Sequence, residues 1–383
     1  RAVLFSQKVK TLMAMVQVMT SYTRTLDVPW PVNFSSWLDG WEFINLDLLR
    51  YLSTGCAIER NLYSELVGSV VFTIVCVVAG VIVVAIASKC MSDSGKRGEL
   101  QNRAFALLLF LSFLIYAPIS QQIFAVFPCV KFEDGTRVLR ADYSISCDDE
   151  DRGAWIAFGV FCVCLFLLGI PAMYFLLLWR RRSIVNPAPR PGETELQTMR
   201  RRNKDPRLAR LTFLFAAYEP KYWWFECLEL LRKVLLTGFI VFWSPGSVTQ
   251  IVAGILVCLA ALMVTQGTMP YYSSTDDVVS VAALLNLLLT MISALLLKVD
   301  VVTAEANGEY DAASFGVLLI LFNVMPFGVF IAAVVYEQVY VRIRERADRK
   351  KAGLASSAGG KTSSSAALSA SSPSQWSENP LTL

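Results

Sequence analysis

Long apolar runs alternate with short polar breaks along almost the whole chain. A helix needs about 20 apolar residues to cross about 30 Å of hydrocarbon. Seven stretches meet or approach that length: residues 66–87, 104–126, 154–179, 230–243, 248–269, 278–297 and 315–336. The fourth is the shortest and opens with Arg232 and Lys233. Pro118, Pro171 and Pro326 fall inside the second, third and seventh. A weaker candidate, residues 5–22, reads FSQKVKTLMAMVQVMTSY. Lys8 and Lys10 oppose a full span there, so residues 1–22 read as a weak span or an interfacial helix. The pattern predicts an all-α, polytopic membrane helix bundle over residues 65–340, with seven transmembrane helices and a possible eighth at the N-terminus.

Composition agrees with the pattern. Of 383 residues, 55% are hydrophobic and 17% charged, against about a quarter charged in a soluble domain. The chain has no histidine. That removes Ser-His-Asp and Cys-His triads, His-ligated zinc or haem, and a histidine pH switch. There is no Walker motif, no TVGYG-like filter and no arginine ladder. No span carries a lone acid near its centre, so a proton-coupled transporter gains no support. A net charge of +4 is too small to argue for nucleic acid. No enzymatic activity, cofactor or metal site is expected.

Charge distribution predicts an orientation, because Lys and Arg in short loops stay cytoplasmic. Loop 89–103 holds Lys89, Lys96, Arg97 and Arg103, and segment 180–210 holds ten basic residues. The segment after the last span reads VRIRERADRKK. The alternate loops are acidic: segment 127–152 has seven acids, and segment 299–311 holds Asp300, Glu305, Glu309 and Asp311. The C-terminus is therefore expected in the cytoplasm and residues 23–64 outside. Those outer residues hold the sequon Asn33-Phe34-Ser35, which makes Asn33 a glycosylation candidate. Residues 341–383 read as a basic, then disordered, cytoplasmic tail. The start at Arg1, without Met and without a cleavage site after residue 22, reads as a fragment of a longer protein.

Several clusters carry candidate chemistry. Cys56, Cys129 and Cys147 are the outer cysteines. Cys129 and Cys147 share one loop, so a bridge between them is expected, although Cys56 could compete or all three could be free. From Ser35, Trp37, Trp41, Ile44, Leu48 and Tyr51 recur at helical spacing. They read as an amphipathic helix on the outer leaflet or one packed over the mouth of the bundle. Glu229 stands three and four residues before Arg232 and Lys233, a favourable order for helical pairs. These three are either interfacial, with Lys233 snorkelling, or a juxtamembrane coupling element. Gln266, Asn286, Thr290, Ser293 and Asn323 are polar positions in the last three spans. They either bond neighbouring helices or line a wet path. Asn323 lies one turn before Pro326, which makes Asn286, Asn323 and Pro326 the candidate pore and gating residues. Asp276 and Asp277, with Asp300, Glu305 and Glu309 at the other end, could ring the mouths of such a path in an assembly of subunits.

The order of these features resembles a family. KVKTLMAMVQVMTSY is followed by VPWPVNF and INLDLLRYLSTGC. Then come LRADYSISC, GIPAMYFLLLWRRR, LFAAYEPKYWWFECLELLRKVLLTGFIVF and MPYYSSTDD. Over about residues 5–340 the chain resembles the C-terminal membrane module of large algal and protist surface proteins with Cys-rich, ephrin-receptor-like or EGF-like ectodomains. That module is itself distantly similar to TRP-like and polycystin-like membrane proteins. The resemblance implies a cation channel or mechanosensory subunit at the plasma or flagellar membrane, with lipid and monovalent or divalent cations as partners. It also implies a possible homo-oligomer and a large ectodomain before Arg1. No pore motif carries over. The alternative is a non-conducting receptor or adhesion anchor for such an ectodomain.

Overall fold

A computed structural model describes residues 2–45, 61–242, 246–303 and 312–358. Cys56, Glu305, Glu309 and Asp311 lie outside the described residues. The chain divides into two compact units, one through Phe327 and one from Gly328. In chain order the main elements are α1 (Ala2–Thr25), α2 (Val32–Asp39), α3 (Leu62–Cys90) and α4 (Ser94–Ala125). A small antiparallel sheet follows, with β1 (Cys129–Lys131), β2 (Arg137–Leu139) and β3 (Asp142–Ser146) in that order. Then come α5 (Arg152–Trp179), α6 (Glu195–Asn203), α7 (Phe225–Thr237), α8 (Val248–Thr268), α9 (Ser274–Thr303) and α10 (Ala312–Ala358). The second unit is helical through its described residues, to Ala358.

Six of these helices, α3, α4, α5, α8, α9 and α10, are long and apolar enough to cross a membrane. The architecture is mostly helical and fits an integral membrane protein. The expected fourth span is not among the six. Its sequence breaks into α7, 13 residues long, and a short 3-10 turn at Phe239–Phe242. Gly238 sits at the break, and a Cβ there would lie 2.0 Å from the Phe124 ring. Glycine lets α4 approach where a side chain would hold it off. The amphipathic helix expected from Ser35 also stops early: α2 ends at Asp39, Gly40 follows, and a 3-10 turn covers Glu42–Asn45. Its remainder falls outside the described residues. At the other end the basic tail continues α10 as helix to Ala358.

Two prolines shape α4 and α5. Pro118 in α4 has no N–H, so the carbonyl of Leu114 loses its helical donor. Gln17 of α1 supplies a replacement, donating from Nε2 to that oxygen at 2.8 Å. Pro171 in α5 likewise orphans the carbonyl of Leu167, and the Tyr116 hydroxyl donates to it at 3.1 Å. The turn just before, Val163–Leu168, opens into a π-helix. In lipid no water is present to fill these roles, so the side chains of neighbouring helices must.

The expected disulfide is present. Cys129 and Cys147 are bonded, joining β1 to the residue after β3. The Cys147 N–H donates to the Arg137 carbonyl at 2.8 Å.

Candidate functional site

Helix α1 is the reason the site exists. It carries Gln7, Lys8, Lys10, Gln17, Thr20 and Ser21, all buried, alongside the apolar Met15, Val16, Val18 and Met19. It packs against α4, α7 and α9. The hydroxyls satisfy themselves within the helix: Thr20 donates to the Val16 carbonyl at 2.9 Å and Ser21 to Val18 at 2.5 Å. The lysines cannot, because an ammonium needs an anion or several acceptors when it leaves water.

Each lysine finds its own carboxylate on a different helix. Lys8 pairs with Asp276 of α9 at 2.5 Å, with both side chains almost wholly buried. Lys10 pairs with Glu226 of α7. Residues two apart on a helix point about 200° apart, so the two lysines reach opposite neighbours. The Tyr218 hydroxyl donates to the same Glu226 oxygen at 3.0 Å. The Lys10 ammonium also lies 4.2 Å from the Phe213 ring centre and 5.0 Å from that of Phe113. A small cavity opens beside this pair, lined by Gln7, Thr11, Ala14 and Tyr271 among others.

The three residues expected on α7 separate into two roles. Arg232 pairs with Glu229 at 2.5 Å, as the spacing predicts. Lys233 does neither of the things expected of it. It does not snorkel, because it is 1% exposed. It does not meet Glu229; it donates to the Phe113 carbonyl at 3.2 Å and stands 4.1 Å from that residue's ring centre. Lys10 and Lys233 therefore share Phe113, one on each of two neighbouring helices.

A backbone clasp fixes the base of this cluster. The Glu219 N–H donates to the Pro270 carbonyl at 3.0 Å and the Tyr272 N–H to Ala217 at 2.9 Å. The Tyr218 and Tyr271 rings stack with centres 5.0 Å apart. Burial raises the pKa of the Tyr218 hydroxyl well above the usual phenol value, and the Glu226 carboxylate adds to the effect. The phenol stays a donor. Asp277 accepts from the Tyr271 N–H at 3.2 Å. Both acids expected to ring an open mouth, Asp276 and Asp277, are instead buried.

Asn286 and Asn323 are fully buried and meet each other, Asn286 Nδ2 donating to Asn323 Oδ1 at 2.9 Å. Asn323 Nδ2 donates to the Leu319 carbonyl at 2.8 Å, and Thr290 donates to the Asn286 carbonyl at 2.9 Å. The Asn286 amide also lies 3.1 Å from the Met19 sulfur of α1. Ser293 is buried on α9, while Gln266 is exposed on α8. Pro326 is buried one turn beyond Asn323. Asn33 lies in the first turn of α2, half-buried, and its amide nitrogen donates to the Ala313 carbonyl at 2.9 Å. A glycan would need that same nitrogen.

Reading the sequence missed Glu226, Tyr218 and the role of Lys8 and Lys10. The signal was present: charges inside or beside apolar stretches need partners, and Glu226 and Asp276 were the acids within reach of opposite faces of α1. Compared with protein-family models, with curated proteins and with solved structures, the chain matches none.

Proposed function

We propose that the protein is a cation channel or mechanosensory membrane subunit of the TRP-like kind, in which α1 is the coupling element. The observation that supports this reading is the pair of buried salt bridges that tie α1 to α7 and α9. Two charges taken out of water cost more than an apolar contact of the same size, and such pairs are best attested as register or switch devices. A helix held by them has discrete alternative positions, which a membrane stimulus can bias. In this reading the basic loops and the C-terminus are cytoplasmic and the Cys129–Cys147 loop is outside. A large ectodomain would belong to the longer protein, and subunits would assemble around a shared path for cations.

Planar-bilayer recording of the purified chain tests the proposal. Cation current is expected, with an activation threshold displaced in the double variant Lys10→Met/Glu226→Leu, which removes both charges together. A folded protein that passes no current under voltage or tension would overturn it. One observation favours a second reading, the non-conducting anchor: Asn286 Nδ2 donates to Asn323 Oδ1, a bond from one helix to the next. Substituting both by Leu separates the two, since gating changes if they border the path and only stability falls if they are glue.

A further inference from the structure

We propose that the end of α5 and the segment after it form a binding site for a phosphate monoester, presented by a lipid headgroup. A cleft of about 110 Å³ opens there, lined by Ser183, Ile184, Pro187, Arg201, Arg202, Asp205 and Arg207. One water needs about 10–15 Å³ on this measure, so the cleft admits a group of several heavy atoms.

Its charges are unequally committed. Arg201 holds Glu193 with two bonds, 2.8 and 3.0 Å. Arg207 holds Asp205 the same way, at 2.7 and 3.0 Å. Each arginine's hydrogen bonds keep its carboxyl down to about 2, so both acids stay ionised and neutralised. Arg202 differs. It is 1% exposed, and its hydrogen bonds go only to neutral oxygens: Asn203 Oδ1 at 3.0 Å, the Tyr218 carbonyl at 2.8 Å and the Phe215 carbonyl at 3.5 Å. Its Nη1 has no hydrogen-bond partner. Burial lowers its pKa to about 10, which still leaves it charged at neutral pH. A buried guanidinium without a counterion is costly. An oxyanion in the cleft supplies the missing charge and the missing acceptor, and phosphate is the anion whose oxygens match a guanidinium fork.

Position favours a lipid source over a soluble one. The cleft begins four residues after Trp179, the last residue of α5. Trp179, Phe175 and Trp223 form an aromatic cluster there with ring centres 5.5–6.1 Å apart. Such clusters sit at headgroup level. The Arg182 guanidinium lies over the Trp179 ring at 4.3 Å, and Arg180, Arg181 and Arg182 add to the field that attracts anionic lipid. The same Arg202 grips the backbone of Tyr218, whose hydroxyl bonds Glu226, so the cleft abuts the α1 charge network. The binding claim does not depend on whether the protein conducts.

The test uses the full chain in phosphatidylcholine nanodiscs, reading the unfolding temperature against added lipid. A phosphorylated inositol lipid is expected to stabilise the protein more than phosphatidylserine at matched charge. Losing one charge-assisted contact weakens binding about tenfold or more. That loss is expected in Arg202→Gln and in Ser183→Asp, which places an acid at the exposed rim. Arg200→Gln, exposed and outside the cleft, should bind as the natural chain does. Soluble inositol phosphate separates the sources: weak competition supports the lipid, and competition at equal affinity reassigns the same site to a free phosphate ester. Equal stabilisation by phosphatidylserine, or unchanged affinity in Ser183→Asp, overturns the proposal. The latter decides alone if Arg202→Gln fails to fold.

Discussion

Helices α1 and α3 invert the rule learned from soluble proteins. The most apolar of the six candidate spans is α3, with a mean hydropathy of 3.2 in its best window, and only 6% of that window is buried. Val71, Val75, Val78, Val81 and Ile86 all point outward. Helix α1 carries two lysines, two glutamines and several hydroxyls, and from Gln7 to Tyr22 nearly every residue is buried. The inversion follows from the solvent. Lipid tails are as apolar as valine, so α3 gains nothing by hiding. Polar groups in hydrocarbon have no water to turn to, so α1 belongs where other helices can bond it. In this bundle polarity, not apolarity, predicts the interior.

The strongest way to break that comparison is to strip one charge from α1. Lys10→Met leaves the Glu226 carboxylate buried with the Tyr218 hydroxyl but no cation. Breaking a buried pair from one side costs about 3–5 kcal/mol. Unfolding in nanodiscs should show a loss of that order, largely recovered in Lys10→Met/Glu226→Leu. If the single and double variants lose the same amount, the pair does not hold α1 in place.

The outer loop offers the next largest effect. The Cys129–Cys147 bridge closes a segment with a sequence separation of 18, and loops of that size are stabilised by about 3 kcal/mol. Cys129→Ser/Cys147→Ser should loosen the β1–β3 sheet, read as faster amide exchange over residues 129–146. The helices, which do not depend on the bridge, should keep theirs. Uniform loss across α4 and α5 would mean that the sheet clamps the bundle.

The interlock of α1 with α4 predicts a smaller, conditional cost. Gln17→Leu strands the Leu114 carbonyl, and an unsatisfied buried acceptor costs about 1–3 kcal/mol. In a Pro118→Ala background residue 118 regains an N–H and can serve that carbonyl itself. The same Gln17→Leu change should then cost distinctly less. Equal cost in both backgrounds would show that Gln17 acts through its other bond, to the Ile44 carbonyl at 3.1 Å.

What the sequence disclosed follows the same division. Six long apolar helices and the Cys129–Cys147 bridge were legible, because length in lipid and cysteines in one loop are local signals. The break in the expected fourth span was not, since it is set by Gly238 against Phe124, a contact 114 positions apart in the chain. The burial of helix α1 was not legible for the same reason. Lys8 and Lys10 lower its apolar character, and only their distant acids, Asp276 and Glu226, make it an interior helix. Arg202 stood in a run of three arginines, and nothing local separates it from Arg200 and Arg201. Its uniqueness lies in what surrounds it.

The smallest expected effect sharpens the comparison most. Val77 and Val81 of α3 are 43% and 52% exposed, whereas Val70 near the start of the helix is 6% exposed. If lipid covers the outer face, Val77→Ala and Val81→Ala trade one apolar surface for another against hydrocarbon. They should stay within about 0.5 kcal/mol of the natural chain. Val70→Ala removes methyl groups from a packed contact that lipid cannot refill, so it should cost clearly more. The ordering Val70 above Val77 and Val81 is the signature of lipid on α3. Should Val77→Ala or Val81→Ala match Val70→Ala in stability, and should that loss shrink on dilution into more lipid, the outer face would be packed against a second copy of the chain. The exposure of α3 would then mark a subunit interface, and the contrast with α1 would hold only for the isolated bundle.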